Sequence, residues 1–356
     1  NMMNTSQKLI ALLSGAALLS VSSLAAQTAT TTPVGYVSVD VNANADLKRG
    51  VPFSQAASFA AAADSVLAGT VTVQSTVPDL TTESHFLSVT SGTLIGKWYE
   101  VTGSTASSVT VAEDLQAAGL AASDTFTVVP FWTLDGLFPN GGDIPQSSDV
   151  FSPVAFILVN DVTQLGTNLA AGSLYFYHDG TQGAAGWYDN DNLGAGVVGS
   201  SVLTPASYIT IRNGTGSPIT VTMSGTVPEQ TVTNEIVSRS AGPQDSQVLN
   251  PFPAGITLAG SNLFEDGVIR GSSDVFAPVD LLLIFEGTPT GINPAASKVV
   301  FYHDGTQGPA GWYDNDNLGG GTIDAFELPL ASALIVRRAV GTDELISWSP
   351  TIPYSL

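Results

Sequence analysis

Residues 176–194 read FYHDGTQGAAGWYDNDNLG, and residues 301–319 read FYHDGTQGPAGWYDNDNLG, with Ala184 against Pro309 as the single difference. The chain is therefore an internal duplication, and its fold is that of one unit built twice. The copies lie 125 positions apart, as His178 against His303 shows (303 − 178). The same offset carries SSDVF at residues 147–151 onto SSDVF at 272–276, and residues 203–211 onto 328–336, without a gap. Around the block the copies differ freely.

On both sides of the block, short alternating or β-branched runs recur between glycine, proline, asparagine and aspartate. They include residues 35–41, 71–73, 109–111, 126–129, 154–159, 174–177, 208–211, 219–222, 281–285, 299–302 and 333–336. A period of two with turn residues between runs signals strands joined by tight connections. The 36 glycines and 20 prolines fall mainly between these runs, where turn chemistry places them. The expected fold is all-β, with tandem antiparallel sandwich or barrel-like modules and few short helices. Two stretches read as helical: the alanine-rich residues 54–67, and residues 112–122, which read equally well as a turn between strands.

The duplication organises the chain into a signal segment over residues 1–26, an N-terminal β region over 27–126 and a first copy over 127–213. A bridge follows over 214–250, then the second copy over 251–340 and a tail over 341–356. Pro251-Phe252-Pro253 echoes Pro52-Phe53, so the bridge is a candidate counterpart of the N-terminal strands. Two pseudo-equivalent units, or two interleaved halves of one sandwich, satisfy this pattern equally.

Lys8, an apolar run over residues 9–19 and the small-x-small pattern Ser23-Leu24-Ala25 make an export signal, cut after Ala25 or Ala26. The run is shorter than the ~20 apolar residues of a spanning helix, so no transmembrane anchor is expected, and the tail carries no apolar anchor either. The expected location is secreted, extracellular or at the cell surface. With 10 basic against 31 acidic residues and a net charge of −21, the surface repels nucleic acid and anionic membranes, which both require a lysine and arginine footprint. Calcium is the obvious extracellular counter-ion. The chain has no cysteine, so no disulfide staples this exported fold, which must rest on its core or on assembly with neighbours.

Several features occur in a fixed order: Pro33-Val34-Gly35-Tyr36-Val37, Thr90-Ser91-Gly92 through Gly96, the strand of residues 124–130, and Trp132-Thr133-Leu134 with Leu137-Phe138. Residues 328–338 and then Trp348 with Pro353-Tyr354 complete the series. Together they resemble an uncharacterised family of exported bacterial β-proteins, over nearly the whole mature chain. The resemblance implies an exported β-protein and carries no activity with it. The long repeated block departs from that family pattern.

The block itself reads as a hairpin with an oxygen-rich tip. Asp179, Asp189 and Asp191, with Asp304, Asp314 and Asp316, are the candidate calcium ligands, because hard cations take six to eight oxygens and Asp-x-Asp spacing on a loop can aim alternate side chains at one point. The competing reading is that these aspartates bond their own backbone to build turns. His178 and His303 give one imidazole per copy, short of a zinc set, and are expected to bond a loop carbonyl at a strand end. Trp187-Tyr188 and Trp312-Tyr313 are candidate stacking platforms for glycans, although neighbouring strand residues point to opposite faces. No Gly-x-Ser-x-Gly elbow or other catalytic constellation occurs in the mature chain, and no enzyme activity is expected. Two functional readings remain: a structural subunit that assembles with itself, with residues 28–41 able to add to a neighbour's sheet edge, or a secreted calcium-dependent or carbohydrate-binding module with one site per copy.

Overall fold

The computed structural model describes residues 32–205 and 207–355, so the expected export segment lies outside them. From Pro33 onward the chain forms one compact all-β unit. Each copy carries a five-stranded antiparallel sheet, and the two sheets have the same strand order. In the first the order is Gly186–Asp189, Ala171–His178, Ala155–Asn160, Ile209–Asn213 and Ala45–Arg49. In the second it is Gly311–Asp314, Lys298–His303, Leu281–Phe285, Ala333–Arg338 and Gln244–Leu249.

A two-stranded ribbon accompanies each sheet: Val34–Val41 on Ile219–Thr226 in the first copy, and Asn234–Ser238 on Glu344–Trp348 in the second. Strand pairing thus groups residues 34–49 and 219–226 with the first copy, and residues 234–249 and 344–348 with the second. The bridge does contain counterparts of the N-terminal strands: Asp46 pairs with Arg212 as Asp245 pairs with Arg337. Val34–Val41, considered above as a strand that could leave its module, pairs along all its length within the chain.

The copies differ at one connection. In the second, residues 253–255 join Phe252 to the short strand Ile256–Thr257; in the first, residues 54–131 stand at that point and fold as a separate seven-stranded sheet. Its order is Phe59–Ala62, Thr125–Pro130, His85–Val89, Trp98–Thr105, Ser108–Val111, Thr70–Thr72 and Ser65–Leu67. Its entry and exit adjoin: Trp132 Nε1 donates to the Phe53 carbonyl at 2.9 Å, and Gln55 Nε2 to the Phe131 carbonyl at 2.7 Å. Adjacent ends are the geometry that lets a parent fold tolerate an inserted domain. The insertion has its own core of Val71, Leu87, Val89, Val109, Leu115, Phe126 and Val128, separate from the cores of the two copies.

The helix expected over residues 54–67 does not form. Phe59–Ala62 and Ser65–Leu67 are strands, and Phe59 and Ala61 face inward while Ala60 and Ala62 face water. Alanine's helix propensity is a weak prior, and the free edge of Thr125–Pro130 offers this segment a full ladder instead. Within residues 112–122 a single helical turn forms, Leu115–Ala118. Asp114 caps its first turn through the Ala117 N–H at 2.9 Å, and Gly119 ends it in the left-handed region at φ 113°.

Candidate functional site

The repeated block folds identically in the two copies. Phe176, His178 and Trp187 are fully buried, as are Phe301, His303 and Trp312. Their rings form the same cluster twice: Phe176 stacks on Tyr188 at 5.8 Å and Phe301 on Tyr313 at 5.9 Å, while Tyr177 meets Trp187 edge-on at 5.6 Å and Tyr302 meets Trp312 likewise at 5.6 Å. Buried in this way, Trp187 and Trp312 present no ring face for a sugar, and Tyr188 and Tyr313 stack inward instead. The block's aromatics are a packing cluster rather than the glycan platform the sequence suggested.

Four of the six aspartates, Asp179, Asp189, Asp304 and Asp314, use their carboxylates in turns. Asp179 Oδ1 accepts from the Thr181 N–H at 2.8 Å and its hydroxyl at 2.5 Å, and Asp304 Oδ1 accepts from Thr306 at 2.8 and 2.6 Å. The Thr181 and Thr306 hydroxyls, then the backbone N–H groups, hold both carboxyls below the usual aspartate range. Asp189 Oδ1 accepts from the Asp191 N–H at 2.9 Å, and Asp314 Oδ1 from the Asp316 N–H at 3.0 Å. Asp314 also meets Lys298 Nζ at 2.5 Å, a partner the first copy replaces with Ser173. Among the described residues no group of three or more histidine, aspartate or glutamate side chains that could hold a metal ion occurs.

The histidines bond amides rather than carbonyls. His178 Nδ1 accepts from the Gly180 N–H at 3.1 Å and His303 Nδ1 from the Gly305 N–H at 3.0 Å. Each ring sits edge-on to its tyrosine, at 5.8 Å for Tyr188 and 5.7 Å for Tyr313. The imidazole therefore pins the start of the glycine-rich loop to the aromatic cluster.

A feature that sequence reasoning missed lies beside the block. The SSDVF segment docks on it through Ser147, whose N–H donates to the Tyr177 carbonyl at 2.8 Å and whose carbonyl accepts from the Asp179 N–H at 3.1 Å. Ser272 repeats both bonds with Tyr302 and Asp304 at 2.8 and 3.1 Å. Asp149 Oδ1 then accepts from the Phe151 N–H at 2.9 Å, Asp274 Oδ1 from the Phe276 N–H at 2.8 Å, and the Ser147 and Ser272 hydroxyls accept from Val154 and Val279. This rigid turn holds Phe151 and Phe276 out in solvent, 83% and 81% exposed. The available signal was a phenylalanine inside a polar turn, present in both copies.

The copies contact each other reciprocally. Asp46 accepts a forked pair of bonds from Arg212, both at 2.8 Å, and one from the Asn293 N–H at 2.9 Å; Asp245 accepts from Arg337 at 2.7 and 2.8 Å and from the Asn168 N–H at 2.7 Å. Asn168 and Asn293 are equivalent positions (293 − 168 = 125), and each reaches into the other copy. Likewise the Asp46 N–H donates to Gly291 and the Asp245 N–H to Gly166, at 3.0 and 2.8 Å. Residue i touching j while j touches i is the signature of a twofold-related pair, here built within one chain. The two phenylalanine tips are thus carried on one pseudo-twofold body. Among the described residues no helix is long and apolar enough to cross a membrane. Comparison of the chain with protein-family models, with curated proteins and with solved structures returned no match.

Proposed function

We propose that the protein is a non-enzymatic, exported structural subunit that joins copies of itself at the cell exterior into a filament, coat or matrix. The observation that carries this reading is the pair of equivalent tips, each an exposed phenylalanine on a hydrogen-bonded turn flanked by the same DGTQG loop. A large ring held in water by rigid backbone gives up ~1.5–3 kcal/mol that contact with a neighbour would recover. Two such tips on one body allow each molecule to bind two neighbours, and contacts that do not close a ring continue into a fibre or sheet. The net charge of −21 opposes association at low ionic strength, so salt or divalent cations are expected to strengthen it.

The test is light scattering and negative-stain imaging of the chain across rising concentration, beside the double variant Phe151→Ser, Phe276→Ser. Ordered polymers that the double variant loses, with its thermal stability kept, support the reading. Monodisperse single particles at every concentration and salt level, or polymers indifferent to the substitutions, overturn it.

A further inference from the structure

The pseudo-twofold generates two related grooves between the copies, and the inserted sheet makes them unequal. The first groove, of about 220 Å³, lies between Leu47 and Lys48 of one copy and residues 285–297 of the other, with Phe285, Pro289 and Pro294 beside Glu286 in its wall. Its mate lies where Ser246 and Gln247, the counterparts of Leu47 and Lys48 (246 − 47 = 199), face Val162 and Leu169 of the first copy. There the insertion adds residues Lys97, Trp98, Tyr99 and Glu113 to the lining, and the space grows to about 450 Å³. That volume falls within the ~300–1,000 Å³ range of ligand clefts.

We propose that this enlarged cleft is a binding site for a neutral saccharide. Aromatic side chains beside hydrogen-bonding groups of both polarities suit a sugar, which offers an apolar C–H face and hydroxyls that both donate and accept. Glu113 and Glu235 accept, Lys97 donates, and the buried hydroxyls of Thr233 and Ser246 stand in the same wall. Gln247 is nine-tenths buried in that wall; its Nε2 donates to the Tyr208 hydroxyl at 3.4 Å, and its Oε1 has no hydrogen-bond partner.

The charges of the wall select against other ligands. Glu235 pairs with Lys97 at 3.1 Å and Asp245 with Arg337, outside the lining, at 2.7 Å, which leaves Glu113 as the one of the four lining charges without an ion-pair partner. An anion would meet a net negative wall, and a wholly apolar ligand would strip water from Glu113 without replacing its hydrogen bonds. A cationic peptide is the rival occupant, and one residual charge makes it a weaker fit than a neutral polyol.

The experiment is isothermal titration of the full chain with a panel of hexasaccharides, namely cello-, malto-, laminari-, manno- and chito-hexaose, with hexalysine as the rival probe. The expected result is binding of at least one saccharide, weakened about tenfold or more by Glu113→Gln and abolished by Thr204→Trp, which fills the cleft from a half-exposed position. The double variant Phe151→Ser, Phe276→Ser is expected to bind as the parent does, which separates this site from the assembly tips. Circular dichroism melts confirm that each variant is folded, and Tyr99→Phe, which keeps the ring, is expected to retain binding. No saccharide bound at millimolar concentration, hexalysine bound in their place, or saccharide binding untouched by both cleft substitutions each overturns the proposal.

Discussion

Replacing Arg337 by methionine tests the reciprocal interface directly. Asp245 is 2% exposed and accepts three bonds, two from the Arg337 fork and one from the Asn168 N–H. Removing the guanidinium leaves a buried carboxylate with one donor. Breaking a buried ion pair from one side costs ~3–5 kcal/mol, most of it the desolvation of the abandoned partner. Arg337 keeps 28% of its side chain in solvent, which screens part of the attraction and puts the expected loss near the lower bound, about 3 kcal/mol. The second bond of the guanidinium, to Asn168 Oδ1 at 2.8 Å, is also lost, so the segment of the first copy that reaches across should loosen. Urea unfolding measures the first effect, and hydrogen exchange at Gly166 and Asn168 the second. Arg212→Met should cost the same within error, because its pair with the fully buried Asp46 has the same fork geometry. In a double-mutant cycle with Asp245→Asn the two losses should fall short of additivity by about 1 kcal/mol or more. A loss below about 0.5 kcal/mol for either arginine, the range of an ordinary surface substitution, would refute the reasoning that these pairs anchor the aspartates that bond across to the other copy.

Gly186→Ala should destabilise by about 1–3 kcal/mol, since φ there is 152° and an added Cβ would lie 2.6 Å from Val197 Cγ1; thermal denaturation reads it, and an unchanged midpoint counts against the tight strand entry described. Burial pushes the Tyr354 hydroxyl, from a model-compound value of 10.0, up to about 12 while it donates to the Pro228 carbonyl at 2.9 Å. A group raised in the folded state stabilises fully below its unfolded pKa, so this contribution is present below pH 10 and disappears as pH climbs toward 12. Tyr354→Phe should therefore lower stability at neutral pH and flatten its fall across that alkaline window, followed by urea midpoints at each pH; an equally steep fall contradicts the assignment.

Legibility in the sequence followed local pattern. Every run read as a strand from its alternation overlaps a strand, because β-branched and aromatic residues at period two encode a half-buried ladder by themselves. Ala45–Arg49 and Gln244–Leu249 carry no such pattern, and both were missed as strands. All six residues of QDSQVL are buried, polar ones included, because that strand lies between the two copies and its polar groups are met there by Gly166, Asn168, Tyr208 and Arg337. Burial of that kind is set by the partner surface, which one segment's sequence cannot announce. The same holds for the insertion: residues 54–131 read as continuous with Val34–Val41, and the break is evident only from which strands pair. In the block, residue types were identified correctly as turn-forming, whereas the inward direction of Trp187 and Trp312 depended on the register with Tyr177 and Tyr302.

Near-identity of the block follows in large part from its self-containment. Asp179 bonds Thr181, His178 bonds Gly180, Asp189 bonds Asp191, and the Tyr188 hydroxyl donates to the Ala184 carbonyl at 2.9 Å, all within the nineteen residues of the repeat. A substitution that removes the side chain of His178, Asp179, Tyr188 or Asp189 breaks a bond inside the same segment, while a position that gives only backbone atoms can vary. The one difference between the copies obeys this rule. Position 184 contributes its carbonyl to the network, and Pro309 keeps that bond, with Tyr313 donating at 3.0 Å. Proline discards an N–H and leaves the carbonyl intact, so it is admissible where alanine stands. Phe151 and Phe276 fall outside this explanation. Their backbone N–H groups serve the turn, but any residue except proline supplies an N–H, and the turn makes no use of the rings. The internal chemistry that holds the block constant therefore gives no reason for a phenylalanine at either tip, and both rings stand exposed, as the proposed contact between molecules requires.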